Sequence, residues 1–169
     1  MGKTANSKSS KSSKSSKNLE NLENVNILDI VVYPSDILRQ KSVEVENIGA
    51  AEKKLFEDML NTMYSKKGIG LAAVQVGILK RMLVVDIANK KKIKLANPVI
   101  IAKKGTTATE EGCLSVPDKN IKIERYEEIV VKALDENNKI GTFLFTGLEA
   151  IAVQHEIDHL NGKIILDYL

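Results

Sequence analysis

The sequence predicts an α+β fold, in which a mostly antiparallel sheet packs against an N-terminal helix and a long C-terminal H-E-x-x-H helix. Two observations lead to this prediction: helical periodicity is found towards each end of the chain, and short segments rich in Val and Ile lie between. Several strands between two helices are typical of α+β domains. The 169 residues fit one domain, and without Trp its core must be mainly Ile, Val and Leu.

Residues 1–26 differ from the rest of the chain in composition. They consist of Ser-Lys repeats followed by NLENLENVN, which bury too little apolar surface to fold, so we expect a disordered tail. The five lysines of residues 1–18 contribute +5 to the charge of the chain. Since the net charge of the whole chain is +3, the remaining residues carry a net charge of −2. The expected domain therefore spans residues 27–169, and it has no basic stripe with interleaved aromatics that would favour nucleic acid.

The composition also bears on the compartment. No run of 18 apolar residues exists, and no apolar segment lies near the start, so neither a membrane span nor a secretory signal is expected. One Cys cannot form an intrachain disulfide, which favours a reducing compartment. We expect a monomer without a membrane partner in the cytoplasm, or in an organelle if the Ser/Lys tail is a targeting peptide.

Residues 50–66 form the first predicted helix. Apolar side chains recur there at helical spacing, charged side chains occupy the opposite face, and three glycines between residues 68 and 77 end the pattern. The apolar positions are Leu55, Met59, Leu60 and Met63.

The pattern changes to strands from residue 81 onward. Val- and Ile-rich segments are separated by turn signals at residues 103–106 and 136–138. The predicted strands are residues 81–88, 92–102, 122–135 and 139–145.

Residues 147–161 form the last predicted helix. Thr146 is the expected N-cap, Glu149 three positions later completes a capping box, and Gly162 is the expected residue after the C-cap.

Both histidines of the chain lie in this last helix, at positions 155 and 159. A separation of four residues places both imidazoles on one face, one turn apart, so both can reach one metal ion. Glu156 is offset by about 100° around the helix axis, close enough to handle a proton beside the ion without becoming a ligand. This is the H-E-x-x-H arrangement of metal-dependent amide hydrolases. Two helix-face histidines satisfied by their neighbours are the alternative interpretation.

A catalytic metal site needs a third protein ligand and one open position. Only Asp167 follows Gly162 as a possible ligand, so the third ligand is expected upstream. Cys113 is the candidate, because it lies in the polar-flanked stretch EEGCLSVP, where a purely structural Cys is less expected. One thiolate and two imidazoles suit Zn(II) or Fe(II).

Three segments of the chain together resemble the peptide deformylase family. They are GIGLAAVQVG at residues 68–77, EGCLSVP at residues 111–117 and QHEIDHLNG at residues 154–162. Their order and spacing match the family from about Ile27 to Leu169. The resemblance implies that the protein removes the formyl group from the N-terminal methionine of nascent polypeptides. It also implies one divalent metal ion, natively Fe(II), with Zn, Ni or Co as possible occupants.

The resemblance also implies a role for individual residues. Cys113, His155 and His159 would be the metal ligands, and Glu156 the general base and acid. The side-chain amide of Gln75 and the backbone N–H of Leu114 would bind the oxyanion. A peptide would add as an extended strand between residues 68–70 and 111–114. The expected substrate-binding residues are Gly68, Ile69, Gly70, Glu111, Leu148, Ile151 and Ala152.

The chain departs from the family in three places. Val74 replaces a common Pro, and Asn120 lies where many members have an Arg. Many bacterial members continue into a C-terminal helix that docks on the ribosome, whereas this chain ends at Leu169. The Lys-rich tail is therefore a candidate for ribosomal RNA affinity.

The sequence is compatible with three functions. The first is a metal-dependent deformylase, which Cys113 within EGCLS favours. The second is another H-E-x-x-H hydrolase that cleaves internal peptide bonds. The third is a metal-binding or peptide-binding module without activity, against which Glu156 and the open metal position argue.

Overall fold

The computed structural model describes residues 25–169, and within them the predicted α+β architecture is confirmed. The two α-helices of this part are α1, Ala50–Ser65, and α2, Gly147–Leu160. Short 3-10 turns span Asp36–Arg39, Ala73–Val76 and Ile165–Tyr168. The strands are β1 Gly70–Ala72, β2 Met82–Val85, β3 Ile93–Lys104, β4 Thr107–Cys113, β5 Val116–Arg125, β6 Glu128–Leu134 and β7 Ile140–Thr146.

The sheets are antiparallel. Five strands form one sheet in the order β1-β2-β3-β6-β7, and β4 and β5 form a separate hairpin. Since β3 pairs directly with β6, the hairpin is an excursion from the main sheet. At the far end of the main sheet β1 is an edge strand, which leaves one side of its backbone without a strand partner in the described residues.

The two helices cover opposite faces of the main sheet. Strand β2 is buried on both faces, with Leu83 and Val85 in the cluster that includes α2, and Met82 and Val84 in the cluster that includes α1. Complete burial of such a side chain contributes about 1.5–3 kcal/mol. Helix α2 is itself buried around most of its circumference, so its polar residues Gln154, His155, Glu156 and His159 lie in the interior.

Some predicted boundaries were wrong. The predicted strand 122–135 is two strands, because the chain leaves β5 at Arg125 and enters β6 at Glu128. Helix α2 begins at Gly147 as predicted, with Thr146 at the N-cap position. The Thr146 side chain makes no cap bond, however, since Thr146 is still the last residue of β7, paired with Glu128, and the backbone turns at Gly147, which has φ of 56°. The predicted capping box with Glu149 is therefore not formed.

Two further expectations concern the N-terminal tail and membrane crossing. The predicted disordered tail lies outside the described residues, except for Val25 and Asn26, and it stays a prediction. Of the helices in residues 25–169, none combines the length and the apolarity that crossing a membrane requires.

Candidate metal centre

Helix α2 brings His155 and His159 together in the interior. Their Nε2 atoms are 3.2 Å apart, and the two rings meet edge to face with centroids 4.9 Å apart. His159 is 1% exposed and His155 is 9% exposed. The helical spacing thus directs both imidazoles to one point.

Cys113 reaches the same point from the end of β4. Its Sγ lies 3.2 Å from His159 Nε2, and one donor atom from each of the three residues lies within 4.8 Å of the others. Around a tetrahedral zinc ion, donor atoms of these types are about 3.3–3.6 Å apart. The three side chains therefore fit a single divalent ion.

The other ring nitrogen of His155 has a fixed partner. Nδ1 lies 2.8 Å from Glu111 Oε2, and Arg125 donates to both oxygens of that carboxylate, at 2.7 and 2.9 Å. Such a bond orients a ligating imidazole and leaves Nε2 for the metal. Glu111 was predicted as a pocket residue, whereas Arg125 was not among the predicted site residues. A signal was present, because Arg125 occupies the same buried face of β5 as Ile121 and Ile123.

The electrostatics of the two imidazoles are coupled. Burial lowers the pKa of His155, but bonds with Cys113 and Glu111 outweigh it and raise that pKa to about 10. Burial and the nearby His155 lower the pKa of His159 well below its usual value. At most one of the pair is therefore protonated to the positively charged imidazolium. Since a metal binds only neutral imidazole, its binding releases protons and strengthens with rising pH.

Glu156 lies beside the three-residue cluster and is 4% exposed. Burial raises the pKa of its carboxyl to about 7, against the opposing effect of His155. Its Oε2 is buried and has no hydrogen-bond partner within residues 25–169. A carboxylate with a free oxygen and a pKa near neutrality suits proton transfer.

Gln75 lies in the 3-10 turn Ala73–Val76, with its amide group fixed in orientation. Its Oε1 accepts a bond of 2.8 Å from Ala72 N–H, so Nε2 points the other way, towards Ser115 Oγ at 3.2 Å and Cys113 Sγ at 3.7 Å. The amide donor therefore faces the cluster. Leu114 follows Cys113 at the start of the turn into β5, which places its N–H next to the thiol.

A cavity of about 160 Å³ opens beside these groups, between the β1 edge, β4 and α2. Ile69 and Leu148 are apolar yet 43% and 49% exposed, as expected at the mouth of a site for an apolar ligand. The predicted site residues that line the cavity are Ile69, Gly70, Gln75, Glu111, Cys113, Leu114, Leu148, Ile151, Ala152, His155 and Glu156. Two predicted site residues do not line the cavity. Gly68 packs beside the lining residue Leu114, and His159 is buried at 1% exposure.

Comparison with known proteins gives consistent matches. Residues 27–169 match the family model described as polypeptide deformylase. The peptide deformylase of Pelagibacter ubique is 46% identical over 149 residues, which cover 85% of this chain and 87% of that protein. The peptide deformylase of Thermodesulfovibrio yellowstonii is 45% identical over 145 residues, covering 83% and 88%.

Solved structures match at lower identity but over a similar share of the chain. A peptide deformylase from Ehrlichia chaffeensis has a TM-score of 0.83 and 37% identity, with 85% of this chain and 88% of that one covered. The same Ehrlichia protein in complex with actinonin has a TM-score of 0.83 and 38% identity, covering 86% and 90%. A peptide deformylase from Legionella pneumophila has a TM-score of 0.81 and 41% identity, covering 85% and 86%.

Proposed function

This chain belongs to the polypeptide deformylase family, and we propose that Cys113, His155 and His159 hold its metal ion. It is a metal-dependent hydrolase that removes the formyl group from the N-terminal formylmethionine of nascent polypeptides and releases formate. The observation that supports the ligand set is the convergence of one thiol and two imidazoles beside a buried carboxylate. Three protein ligands leave one position open, as catalysis requires.

We propose Fe(II) as the native ion, with Zn, Ni or Co able to replace it. A divalent ion held by these ligands would lower the pKa of a water molecule, to about 7 in the most favourable metal sites, and would polarise a carbonyl. Because Ni and Zn bind such sites more tightly than Fe(II), the ion found after purification does not identify the native one.

Formate release from formyl-Met-Ala-Ser tests this proposal. Protein stripped of metal and reloaded under anaerobic conditions with Fe(II), Ni(II) or Zn(II) provides matched samples. We expect the fastest release with Fe(II), a loss of that activity in air, and no effect of air on the Zn(II) sample. A Zn(II) sample faster than the Fe(II) one would exclude iron as the native ion. Release of amino acids instead of formate would indicate an internal peptidase.

Glu156 is the proposed proton carrier. Its buried carboxylate accepts a proton from the water that attacks the formyl carbon, and then donates a proton to the amine that leaves as the free N-terminus. Burial raises the pKa of this carboxyl, which supports its uptake and release of a proton. The absence of a hydrogen-bond partner for Oε2 within the described chain leaves that oxygen available for the transfer.

Gln75 and Leu114 are the proposed donors to the oxyanion. The bond from Ala72 N–H holds the Gln75 amide with Nε2 towards Cys113 before any substrate arrives. A donor positioned in advance stabilises the transition state without further reorganisation, by about 3 kcal/mol for each donor. The Leu114 N–H would be the second donor, since Leu114 follows Cys113 and also lines the cavity.

The peptide is proposed to bind along the β1 edge. Asp86 N–H donates to Ile69 O at 2.9 Å, and Gly70 is the next residue, opposite Val85. Because hydrogen-bonded and non-bonded pairs alternate in an antiparallel ladder, the N–H and C=O of Gly70 point away from β2. They can therefore pair with an extended substrate backbone. The methionine side chain would lie against Ile151, Ala152 and the exposed Leu148, close to Gly68 and the stem of Glu111.

The last proposals concern the N-terminal tail, the location of the enzyme and its oligomeric state. We propose that residues 1–26 are a tail that binds ribosomal RNA and that residues 27–169 are the catalytic domain. The proposed location is where nascent chains are made, the cytoplasm or a translating organelle, and the proposed state is a monomer. Cosedimentation with ribosomes at low salt, for the full chain and for a chain starting at Asn26, tests the tail, and equal binding by both would exclude its role.

A further inference from the structure

A chain of bonded side chains runs from the metal centre to Tyr168, in the 3-10 turn Ile165–Tyr168. It begins at His155, whose Nδ1 lies 2.8 Å from Glu111 Oε2. Arg125 Nε donates to Glu111 Oε1 at 2.7 Å, and Arg125 Nη2 donates to Oε2 at 2.9 Å. Arg125 and Glu111 are 5% and 7% exposed, so water does not compete for these bonds.

The third guanidinium nitrogen of Arg125, Nη1, contacts Asp158 and Tyr168 instead of Glu111. Arg125 Nη1 donates to Asp158 Oδ2 at 2.6 Å, and the Tyr168 hydroxyl donates to the same oxygen at 2.6 Å. Arg125 Nη1 also lies 3.1 Å from the Tyr168 hydroxyl, and its guanidinium carbon lies 5.0 Å from the centre of the Tyr168 ring. Tyr168 therefore contacts Arg125 directly and fixes the Asp158 oxygen to which Arg125 binds.

Because a guanidinium is rigid, a change at the Asp158 end of Arg125 also affects its Glu111 end. Its nitrogens are coplanar in a rigid fork, so bonds to Glu111 and Asp158 together fix the plane of the whole group. If the Asp158 end is released, the Arg125 plane can rotate and Glu111 moves with it. The partner of a ligating imidazole sets both its orientation and its tautomer.

We propose that Tyr168 is a positioning residue for the metal centre, acting through Asp158, Arg125 and Glu111 on His155. The inference rests on the proposed role of His155 as a ligand. It assigns to the C-terminal turn Ile165–Tyr168 a part in metal affinity beyond the packing of that turn against β5.

Co(II) binding to Tyr168→Phe tests the proposal, since Phe keeps the ring and removes only the hydroxyl. Loss of a direct partner of a ligand typically weakens metal binding by about 10- to 100-fold. Because Tyr168 is several bonds removed from His155, we expect an effect near the lower limit, about tenfold. We also expect a shift of the visible absorption bands of bound Co(II), which a purely structural role would not produce.

Asp167→Asn is the matched control, because it loosens the same turn without touching the chain of bonds. Asp167 pairs with Arg39 at 2.7 Å and accepts a bond from Ile164 N–H at 2.9 Å. We expect this variant to melt at a lower temperature and to keep the Co(II) affinity and spectrum of the unaltered protein.

The outcomes separate the possible explanations. Unaltered Co(II) affinity and spectrum in Tyr168→Phe would overturn the proposal, and so would an equal change in both variants. Arg125→Lys, which keeps the charge and loses the fork, should weaken Co(II) binding at least as much as Tyr168→Phe. If the unaltered protein lacks the absorption of a Co(II)–thiolate bond, the ligand set itself is wrong, which is a failure of the proposed function.

Discussion

Glu156→Gln is expected to reduce formate release by about 10²- to 10⁴-fold, the usual contribution of a general acid–base group. The amide has the shape of the carboxylate but cannot take up the proton of the attacking water. Since Glu156 is not one of the three clustered donors, the variant should still bind one metal ion. Loss of turnover with retention of metal is the expected result, measured by formate release and by metal content after dialysis.

The pH dependence sharpens this test. Burial raises the pKa of Glu156 from 4.5 to about 7, and a cation at the neighbouring ligands lowers it again, so we expect a value between these limits in the loaded enzyme. Because the base acts when ionised, kcat/KM should fall about tenfold for each pH unit below that pKa. The residual activity of Glu156→Gln, measured with enough metal to keep the site saturated across the pH range, should lack this fall.

Glu149→Gln provides a matched control on the same helix. Glu149 lies in the first turn of α2, outside the cavity, so the same chemical change should leave activity and pH profile unaltered. Full activity in Glu156→Gln, or an unchanged acid limb in that variant, would contradict the assigned role.

The parts of the fold that periodicity describes were predictable. Helices α1 and α2 and the strands β2, β3 and β7 carry strong apolar patterns, because each buries a face against the core. Strand β4 was not predicted, since its sequence TATEEGC has few apolar residues and, within residues 25–169, β5 is its only strand partner. Its conformation depends on the hairpin, which no local pattern encodes.

The part of the site that depends on the geometry of a single helix was predictable. Four-residue spacing on one helix is enough to bring His155 and His159 together, and their Nε2 atoms indeed lie 3.2 Å apart. Cys113 was predicted as the third ligand from its polar surroundings and from the family resemblance, whereas other contacts between distant segments, such as that of Arg125 with Glu111, were not predictable. Gly70 was expected to admit a substrate backbone, but a Cβ at this position would also overlap the Glu156 carboxylate. The missing side chain thus makes room for the proton carrier as well.

Cys113→Ser is the second substitution with a large expected effect, and it should act on the metal itself. A serine hydroxyl stays protonated near neutral pH and is a hard donor, whereas the thiolate is a soft donor that suits Zn(II) and Fe(II). Even outer partners of a ligand change metal affinity by about 10- to 100-fold, so we expect a loss of more than about 100-fold here. Formate release should fall with the metal content.

The pattern of loss distinguishes Cys113 from Glu156. Glu156→Gln keeps the metal and loses turnover, whereas Cys113→Ser should lose the metal on dialysis and regain part of its turnover when excess metal is added. The near-ultraviolet absorption of a Co(II)–thiolate bond should vanish in Cys113→Ser alone. A Cys113→Ser protein that keeps one metal ion per chain through dialysis would show that the two histidines find their third ligand elsewhere. The EGCLS segment would then bind the peptide without binding the ion.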